Sequence, residues 1–276
     1  MKKLLALSLA LLIILMLGAC GGSTSQTSSS DAEASGSEAV SEKTTLIIGL
    51  DDQFPPMGFR DENNNLVGFD IDLATEAAKR AGLEAVPTPI DWTTKELELN
   101  GDKVDVLWNG LTITPERQEA MLLSTAYIAN AQVIVVKTDS GIATLADLAG
   151  KVVGLQDTSS ADEAYAACAA AGTEAELIKA ADNISLFNDL KIGRIDAVVI
   201  DKVFADYYIA ENGEGMLVTI EEQLADEEYG IAFKKGNDEL ADKILSALQS
   251  MVEDGTAAEI SKKWFGEDRI IFNYKK

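Results

Sequence analysis

The feature that most restricts the fold is a regular alternation of short apolar runs with helical patterns from residue 44 onward. Runs such as 45–50, 132–136 and 195–200 are almost continuously apolar, which is typical of strands buried on both faces of a sheet. The intervening segments have helical spacing with start and stop signals. This pattern predicts an α/β fold with mixed, mostly parallel sheets flanked by helices. In such folds, ligands bind where strands end and helices begin.

Composition removes several classes of function from consideration. The 276 residues include 46 acidic and 23 basic side chains, which gives a formal net charge of -23, and no histidine. An acidic surface argues against nucleic-acid binding, because that function needs a basic surface. Without histidine, the chain can form neither a Ser-His-Asp or Cys-His catalytic site nor a His-ligated metal site. We predict no catalytic residue, no metal site and no cofactor.

The first 43 residues have the pattern of an exported lipoprotein. Residues 1–19 combine a basic start, an apolar run and a small-residue end, which predicts a signal peptide. The segment 17–20 (LGAC) resembles the bacterial lipoprotein box, which implies lipidation of Cys20; an uncleaved membrane anchor is the alternative. Residues 20–43 are expected to form the lipidated cysteine and a disordered tether. The expected location is the outer face of a bacterial cell membrane, with the lipid as the membrane contact.

A polar corner at residues 108–117 is the first candidate binding site. The short apolar run 104–107 is expected to be a strand that ends just before this segment. Thr114 and Pro115 are typical of a helix N-terminus, and Arg117 lies just inside that helix. Free N–H groups, hydroxyls and a guanidinium at such a corner favour a bound carboxylate. The alternative is an ordinary loop with a surface arginine.

Acidic and hydroxyl side chains mark other junctions between strands and helices. Asp201 follows the apolar run 195–200, where it either binds a cation or caps the next helix. Asp70 and Asp72 lie at a predicted helix start. Acids in that position more often cap the helix or interact with its dipole than form a catalytic pair. Two serines at 159–160 occupy another predicted helix start.

Several motifs together resemble one known family. They are 48–51 with 54–56, 68–74, 108–117, 156–161, 195–201 and 229–235. In this order they resemble the extracytoplasmic solute-binding proteins of polar-amino-acid ABC importers, which have a periplasmic-binding-protein-like II fold. The resemblance implies two lobes that are joined by two crossover strands and close on a ligand by hinge motion. It places lobe 1 at 44–131 plus 230–276 and lobe 2 at 132–229.

The resemblance also implies how the backbone groups of an amino acid are bound. Arg117 is expected to hold the α-carboxylate as a two-pronged donor. Thr112 and the backbone N–H groups near Gly110 are expected to assist it. Asp201 is expected to pair with the α-ammonium, and this role is compatible with a helix cap.

A loop of the second lobe is expected to meet the same carboxylate. Ser159 and Ser160 lie at a predicted helix N-terminus, whose dipole favours an anion. The segment 157–160 departs from the pattern that the family usually shows here. Its register therefore allows Thr158 in place of Ser160 as a ligand contact.

Four further residues are expected to surround the side chain of the ligand. Phe54 and Trp92 are assigned as apolar walls, although both also suit an ordinary core. Asp51 or Asn109 is expected to reach the polar end of the side chain. These groups favour a polar neutral amino acid or cystine, and a basic amino acid is the alternative.

The expected function is that of a receptor which captures an L-amino acid and delivers it to an ABC transporter permease and its ATPase. We expect a lipid-anchored monomer that binds the free amino acid and no nucleic acid. The alternatives are an enzyme of the same fold, such as a dehydratase or a lytic transglycosylase, and an amino-acid sensor domain. A catalytic acid would need a raised pKa in the cleft, and no acid stands out beyond those assigned to binding.

Overall fold

Two long antiparallel strands at the centre of a ten-stranded sheet determine the arrangement of the chain. The computed structural model describes residues 44–169 and 174–275, so the predicted signal peptide, Cys20 and the tether lie outside the described residues. The strands are β1 (Thr45–Leu50), β2 (Gln53–Phe54), β3 (Gly58–Arg60), β4 (Leu66–Val67), β5 (Glu84–Pro89), β6 (Val106–Thr112), β7 (Leu122–Leu123), β8 (Ile128–Lys137), β9 (Val152–Gln156), β10 (Glu176–Ala180), β11 (Ala197–Asp201), β12 (Leu217–Thr219) and β13 (Ala225–Phe233).

The helices alternate with these strands as the sequence pattern predicts. They are α1 (Phe69–Arg80), α2 (Lys95–Asn100), α3 (Pro115–Ala120), α4 (Ser160–Ala169), α5 (Asn183–Lys191), α6 (Lys202–Tyr208), α7 (Asp238–Glu253) and α8 (Thr256–Phe265). Short 3-10 turns occur at Trp92–Thr94 and Leu145–Leu148, and a π-helical turn occurs at Ile209–Gly213. No helix in the described part of the chain is long and apolar enough to cross a membrane.

The large sheet has the strand order β10-β9-β11-β8-β13-β6-β1-β5, with β12 beside β8 and β7 beside β13. Strands β5, β1 and β6 are parallel and form what we call the first half. Strands β10, β9 and β11 are parallel and form the second half. Between them, β8 and β13 are antiparallel to each other and to their outer neighbours β11 and β6. They are the two crossover strands, and the predicted two-lobed α/β fold is confirmed.

Strand β6 is longer than the sequence pattern predicts. The predicted bounds 104–107 are wrong, because the strand runs Val106–Thr112 and includes polar residues expected in a loop. Its last residues pair with β13, where Thr112 lies opposite Tyr229. The ladder shifts its register nearby, and Gly110 has a left-handed φ of 56°, a conformation that favours glycine. The polar corner is therefore the irregular end of a paired strand.

The two acids at the start of α1 have structural roles, but neither side chain caps the helix. The N-cap residue is a glycine, and no side-chain cap bond forms there. Asp70 is fully buried, and its Oδ2 accepts hydrogen bonds from the Gly110 N–H at 2.7 Å and the Tyr127 hydroxyl at 2.8 Å. Asp72 accepts a hydrogen bond of 2.7 Å from the Trp264 indole of α8. The predicted capping role is wrong because partners distant in sequence take both carboxylates.

The hydrophobic core lies on both faces of the large sheet. Its largest cluster packs buried residues of α1, α5, α6 and α7 against the sheet, and a second cluster lies around α4 and β9. Cys168, expected to be a buried thiol in a helix, is half-buried in α4 and is not in a disulfide. With both faces of the sheet covered, polar side chains gather where strands end.

Candidate ligand-binding site

A partly open cavity lies beside the crossover strands, between residues of the first half and residues of the second. Its empty volume is about 300 Å³, a value that includes space open to solvent. Ten of the eleven ligand-contact residues expected from the sequence line it: Asp51, Phe54, Trp92, Asn109, Gly110, Thr112, Arg117, Ser159, Ser160 and Asp201. Thr158 is the exception, because it lines a neighbouring outer groove.

Arg117 is a buried cation of α3 that lines the cavity. The helix starts as predicted, with Pro115 in its first turn and the Thr114 hydroxyl accepting a hydrogen bond from the Arg117 N–H at 3.2 Å. The guanidinium donates from Nη1 to the Thr112 carbonyl at 2.8 Å. Among the described residues, no carboxylate forms an ion pair with it. Burial lowers the pKa of Arg117 from its ordinary value, and an anion in the cavity would offset that cost.

The start of α4 faces the end of β6 across the cavity. Thr112 Oγ1 and Ser160 Oγ are 3.0 Å apart, which is a hydrogen bond between the two halves. Ser159 is also buried, and its hydroxyl donates to the Gln156 carbonyl at 2.7 Å. The N-terminus of a ten-residue helix therefore lies beside Arg117, and both features favour an anionic group.

Asp201 is a buried acid at the end of β11. Its Oδ1 accepts hydrogen bonds from Asn130 Nδ2 at 2.7 Å and from the Tyr229 hydroxyl at 2.5 Å. It occupies the N-cap position of α6 without a side-chain cap bond, and the Asn130 Oδ1 instead accepts from the Val203 N–H at 3.4 Å. Burial, and then the charge of Glu227, raise the pKa of Asp201 to about 7. A cation in the cavity would restore its negative charge.

Asp51 joins the two halves at another side of the cavity. Its Oδ2 accepts a hydrogen bond of 2.9 Å from Gln156 Nε2 of the second half. Its backbone N–H donates to Asn109 Oδ1 at 2.9 Å, so Asn109 holds the end of β1 against β6. Burial raises the pKa of Asp51 to about 6. Both predicted polar side chains therefore line the cavity, with Asn109 also bracing its wall.

The position of the Phe54 ring beside the cavity depends on Gly110. Phe54 packs on Phe204 of α6, with ring centroids 5.4 Å apart, and Trp92 is buried in a separate small core. A Cβ atom on Gly110 would lie 2.8 Å from Phe54 Cε1, so the ring can approach only because the residue is glycine. The Gly110 N–H is already bonded to Asp70, so this particular donor is engaged away from the cavity.

Lys95 is a contact between the halves that the sequence motifs do not reveal. It is buried, and its Nζ donates to the carbonyls of Thr158 at 2.9 Å and Trp92 at 3.3 Å. Burial, and then the charge of Arg117, lower the pKa of Lys95 to about 8. Together with the Thr112–Ser160 and Asp51–Gln156 bonds, this contact holds the two halves closed around the cavity.

Three buried carboxyl groups predict an unusual dependence of stability on pH. The pKa values of Asp51, Asp70 and Asp201 are raised to about 6, 7 and 7 in the folded protein. The folded state therefore retains protons that the unfolded state releases, so stability is present at low pH and is lost as the pH rises through these values. We expect the melting temperature without added amino acid to be several degrees higher at pH 5.5 than at pH 8.

Differential scanning calorimetry at constant salt measures this difference. Asp201→Asn removes one of the three groups and should flatten the profile, whereas Asp206→Asn, at an exposed acid of α6, should leave it unchanged. A melting temperature that increases from pH 5.5 to pH 8 would contradict the raised pKa values.

The crossover strands, the two halves and the cavity lined by charged residues define a two-lobed binding protein. The chain belongs to the bacterial extracellular solute-binding proteins, family 3, whose family model matches residues 46–267. This membership confirms the resemblance seen in the sequence motifs and the periplasmic-binding-protein-like fold.

Individual relatives are similar over most of their length. The arginine-binding extracellular protein ArtP of Bacillus subtilis (strain 168) is 36% identical, with 96% of this chain and 98% of that protein covered. The L-cystine-binding protein TcyJ of Escherichia coli (strain K12) is 33% identical, with 83% and 85% covered. A structure of an ABC uptake transporter substrate-binding protein from Streptococcus pneumoniae, with bound histidine, is 37% identical with a TM-score of 0.78. That comparison covers 83% of this chain and 95% of the other.

Proposed function

We propose that this chain is a lipid-anchored receptor that captures an L-amino acid in the cavity and delivers it to an ABC transporter permease and its ATPase. One observation carries the proposal. A buried guanidinium without a carboxylate partner among the described residues, Arg117, shares a cavity with a buried acid, Asp201. An amino acid is a zwitterion, so its two backbone charges complement this pair.

The proposed position of the ligand follows from the charged residues that line the cavity, Arg117 and Asp201. Its carboxylate would meet the Arg117 guanidinium and the backbone N–H groups at the start of α4, beside Thr112 and the two serines. Its ammonium would meet Asp201, and its side chain would extend between Phe54 and Trp92 toward Asp51. Because these groups come from both halves, binding would stabilise the closed arrangement.

We propose a polar neutral amino acid or cystine as the ligand. The Asp51 carboxylate already accepts hydrogen bonds from Gln156 and from the Gln53 N–H, each at 2.9 Å, which lessens its need for a cationic partner. A basic amino acid is the competing candidate, because a cation would compensate the raised pKa of Asp51. Of the relatives described above, one is named for arginine binding, one is named for cystine binding, and one was solved with histidine bound, so similarity alone leaves both candidates open.

A ligand panel tests the proposal. Isothermal titration calorimetry of the full chain in detergent, with the common L-amino acids and L-cystine, should give micromolar or tighter binding for at least one. No heat with any of them would refute the proposed function. Tightest binding of arginine or lysine would overturn the preference for a neutral ligand without affecting the receptor function.

We propose binding rather than catalysis as the role of the acids in the cavity. Asp51 and Asp201 have raised pKa values, which an enzyme of this fold would also need, but both are held by neutral hydrogen-bond donors of the site. The curated relatives described above are named as binding proteins. Mass spectrometry should recover the bound amino acid unchanged after prolonged incubation, and conversion to a product would favour a dehydratase-like enzyme.

The proposed anchor and lobe boundaries follow the sequence. Cys20 would carry the lipid after removal of residues 1–19, with 20–43 as the tether, so Cys20→Ser should release the protein from the cell surface. Lobe 1 would comprise 44–131 plus 230–276, and lobe 2 would comprise 132–229. Both proposed boundaries fall within β8 and β13, the strands shared by the two halves.

A further inference from the structure

A carboxylate on the second crossover strand lies at the centre of a hydrogen-bond network that touches the cavity. Glu227 of β13 is half-buried, and its Oε2 accepts three hydrogen bonds of 3.0 Å. The donors are the Thr112 hydroxyl of β6 and the side-chain amides of Asn130 and Gln132 on β8. Glu227 therefore connects both crossover strands to the end of β6.

The charge of Glu227 sets the direction of the hydroxyl protons. An ionised carboxylate only accepts, so Thr112 must donate its single hydroxyl proton to Glu227. Ser160, 3.0 Å from the Thr112 oxygen, must then donate to Thr112, and Gln132 Nε2 donates to Ser160 at 3.2 Å. The Thr112 oxygen consequently presents its remaining lone pair as an acceptor, which suits a cationic group.

Asn130 connects Glu227 to the buried acid of the site. Its Nδ2 donates to Asp201 Oδ1 at 2.7 Å and to Glu227 Oε2 at 3.0 Å. Its Oδ1 accepts from the Val203 N–H of α6, so the orientation of the amide is determined on both sides. Two carboxylates thus share one amide donor, and negative charge is concentrated at this end of the cavity.

We propose that Glu227 is a positioning residue for the α-ammonium of the ligand, acting through the Thr112 hydroxyl, the Asn130 amide and the charge of Asp201. This inference rests on the proposed function. Glu227 orients the Thr112 oxygen directly and the Asp201 carboxylate through Asn130. These two groups are the acceptors for the ammonium, and the negative charge of Glu227 adds to their attraction. Removing the charge while keeping the shape leaves the protein folded and weakens binding of the amino group.

The charges around Asp201 give this role a distinct pH signature. Glu227 and Tyr229 approach Asp201 from β13, Arg117 acts on it from α3, and β8 contributes only neutral amides. On its own helix, Lys202 is paired with Asp206. Burial and the charge of Glu227 raise the pKa of Asp201 to about 7, so amino-acid affinity falls as the pH decreases from 8 to 6. Without Glu227, this decrease moves to lower pH.

The test compares Glu227→Gln with Glu228→Gln, a neighbouring glutamate of β13 that is exposed. Calorimetry uses the full chain in detergent between pH 5 and 8.5, with L-arginine, L-histidine, L-glutamine and L-cystine as the probes. For the probe that the unaltered protein binds most tightly, Glu227→Gln should lose at least about tenfold in affinity at pH 8. Its affinity should also fall at lower pH than that of the unaltered protein, and Glu228→Gln should match the unaltered protein in both respects.

The outcomes separate this inference from the proposed function. If the unaltered protein binds none of the four probes, the inference is overturned. If the wider panel of common L-amino acids also gives no heat, the proposed function is overturned as well. If it binds one and Glu227→Gln shows the same affinity and pH profile, only the inference is overturned. A loss of affinity without a shift in the pH profile would mean that Glu227 supports the fold rather than the ammonium, and it would overturn the inference as well.

Discussion

Replacing Arg117 with alanine is expected to abolish amino-acid binding while leaving the protein folded. The guanidinium is buried and is the proposed partner of the ligand carboxylate. Leaving one charge of a buried pair unpaired typically costs about 4 kcal/mol, which is roughly a thousandfold in affinity. Without ligand, the melting temperature should stay the same or increase, because the substitution removes a buried charge that has no carboxylate partner among the described residues.

Calorimetry and thermal unfolding together measure this result. Arg194→Ala is the matched control, because Arg194 is an exposed arginine paired with Asp189 and should be replaceable without effect. Arg117→Lys keeps the charge but loses the two-pronged geometry, so it should bind with intermediate affinity. Unchanged affinity in Arg117→Ala would remove Arg117 from the binding site and with it the proposed carboxylate position.

Replacing Asp201 with asparagine is expected to weaken binding by about a hundredfold at pH 8, in line with the loss of a charged, desolvated hydrogen-bond partner. The Asn side chain can still accept from Asn130 and Tyr229, so the cavity should keep its shape. The weak binding that remains should depend little on pH between 6 and 8, because the acid proposed to bind the ammonium, whose pKa is raised to about 7, is gone. Calorimetry across this pH range measures both effects.

Two comparisons make the Asp201 result specific. Asp206→Asn, at an acid of α6 that pairs with Lys202, should bind like the unaltered protein. A ligand analogue with a hydroxyl in place of the α-amino group should lose little further affinity in Asp201→Asn. If the substitution weakened that analogue and the amino acid equally, Asp201 would not be the ammonium partner.

Local sequence signals were sufficient where the structure depends on neighbouring residues. The start of α3 is one case, since the Thr114 hydroxyl and the Arg117 N–H are three residues apart. The strand β1 has the predicted bounds because its apolar run is continuous and buried. The family motifs placed the candidate ligand contacts at strand ends and helix starts, and these meet at one cavity because adjacent strands share an edge.

Contacts between distant segments are what the sequence pattern did not reveal. The Gly110 N–H is bound by Asp70 from 40 residues away, and Thr112 is bound by Glu227 from 115 residues away. Neither partner has a local signal, because each depends on which strands become neighbours in the sheet. The same holds for β6, whose polar residues resemble a loop until β13 pairs with them. The one available clue to Glu227 and Asn130 was their position, since both are polar residues close to the segments expected to form the crossover strands.

The two crossover strands also have a consequence for the order of folding. The sheet of the first half includes β13, and α1 of that half is tied to the chain beyond α7 by the Arg80–Asp254 ion pair, 174 residues apart in sequence. A chain that emerges with its N-terminus first cannot complete β6, the wall of the cavity, until residues 225–233 have followed. Contacts of such long sequence separation are associated with slow folding. Strand β6 therefore emerges early but is among the last strands to reach its final pairing.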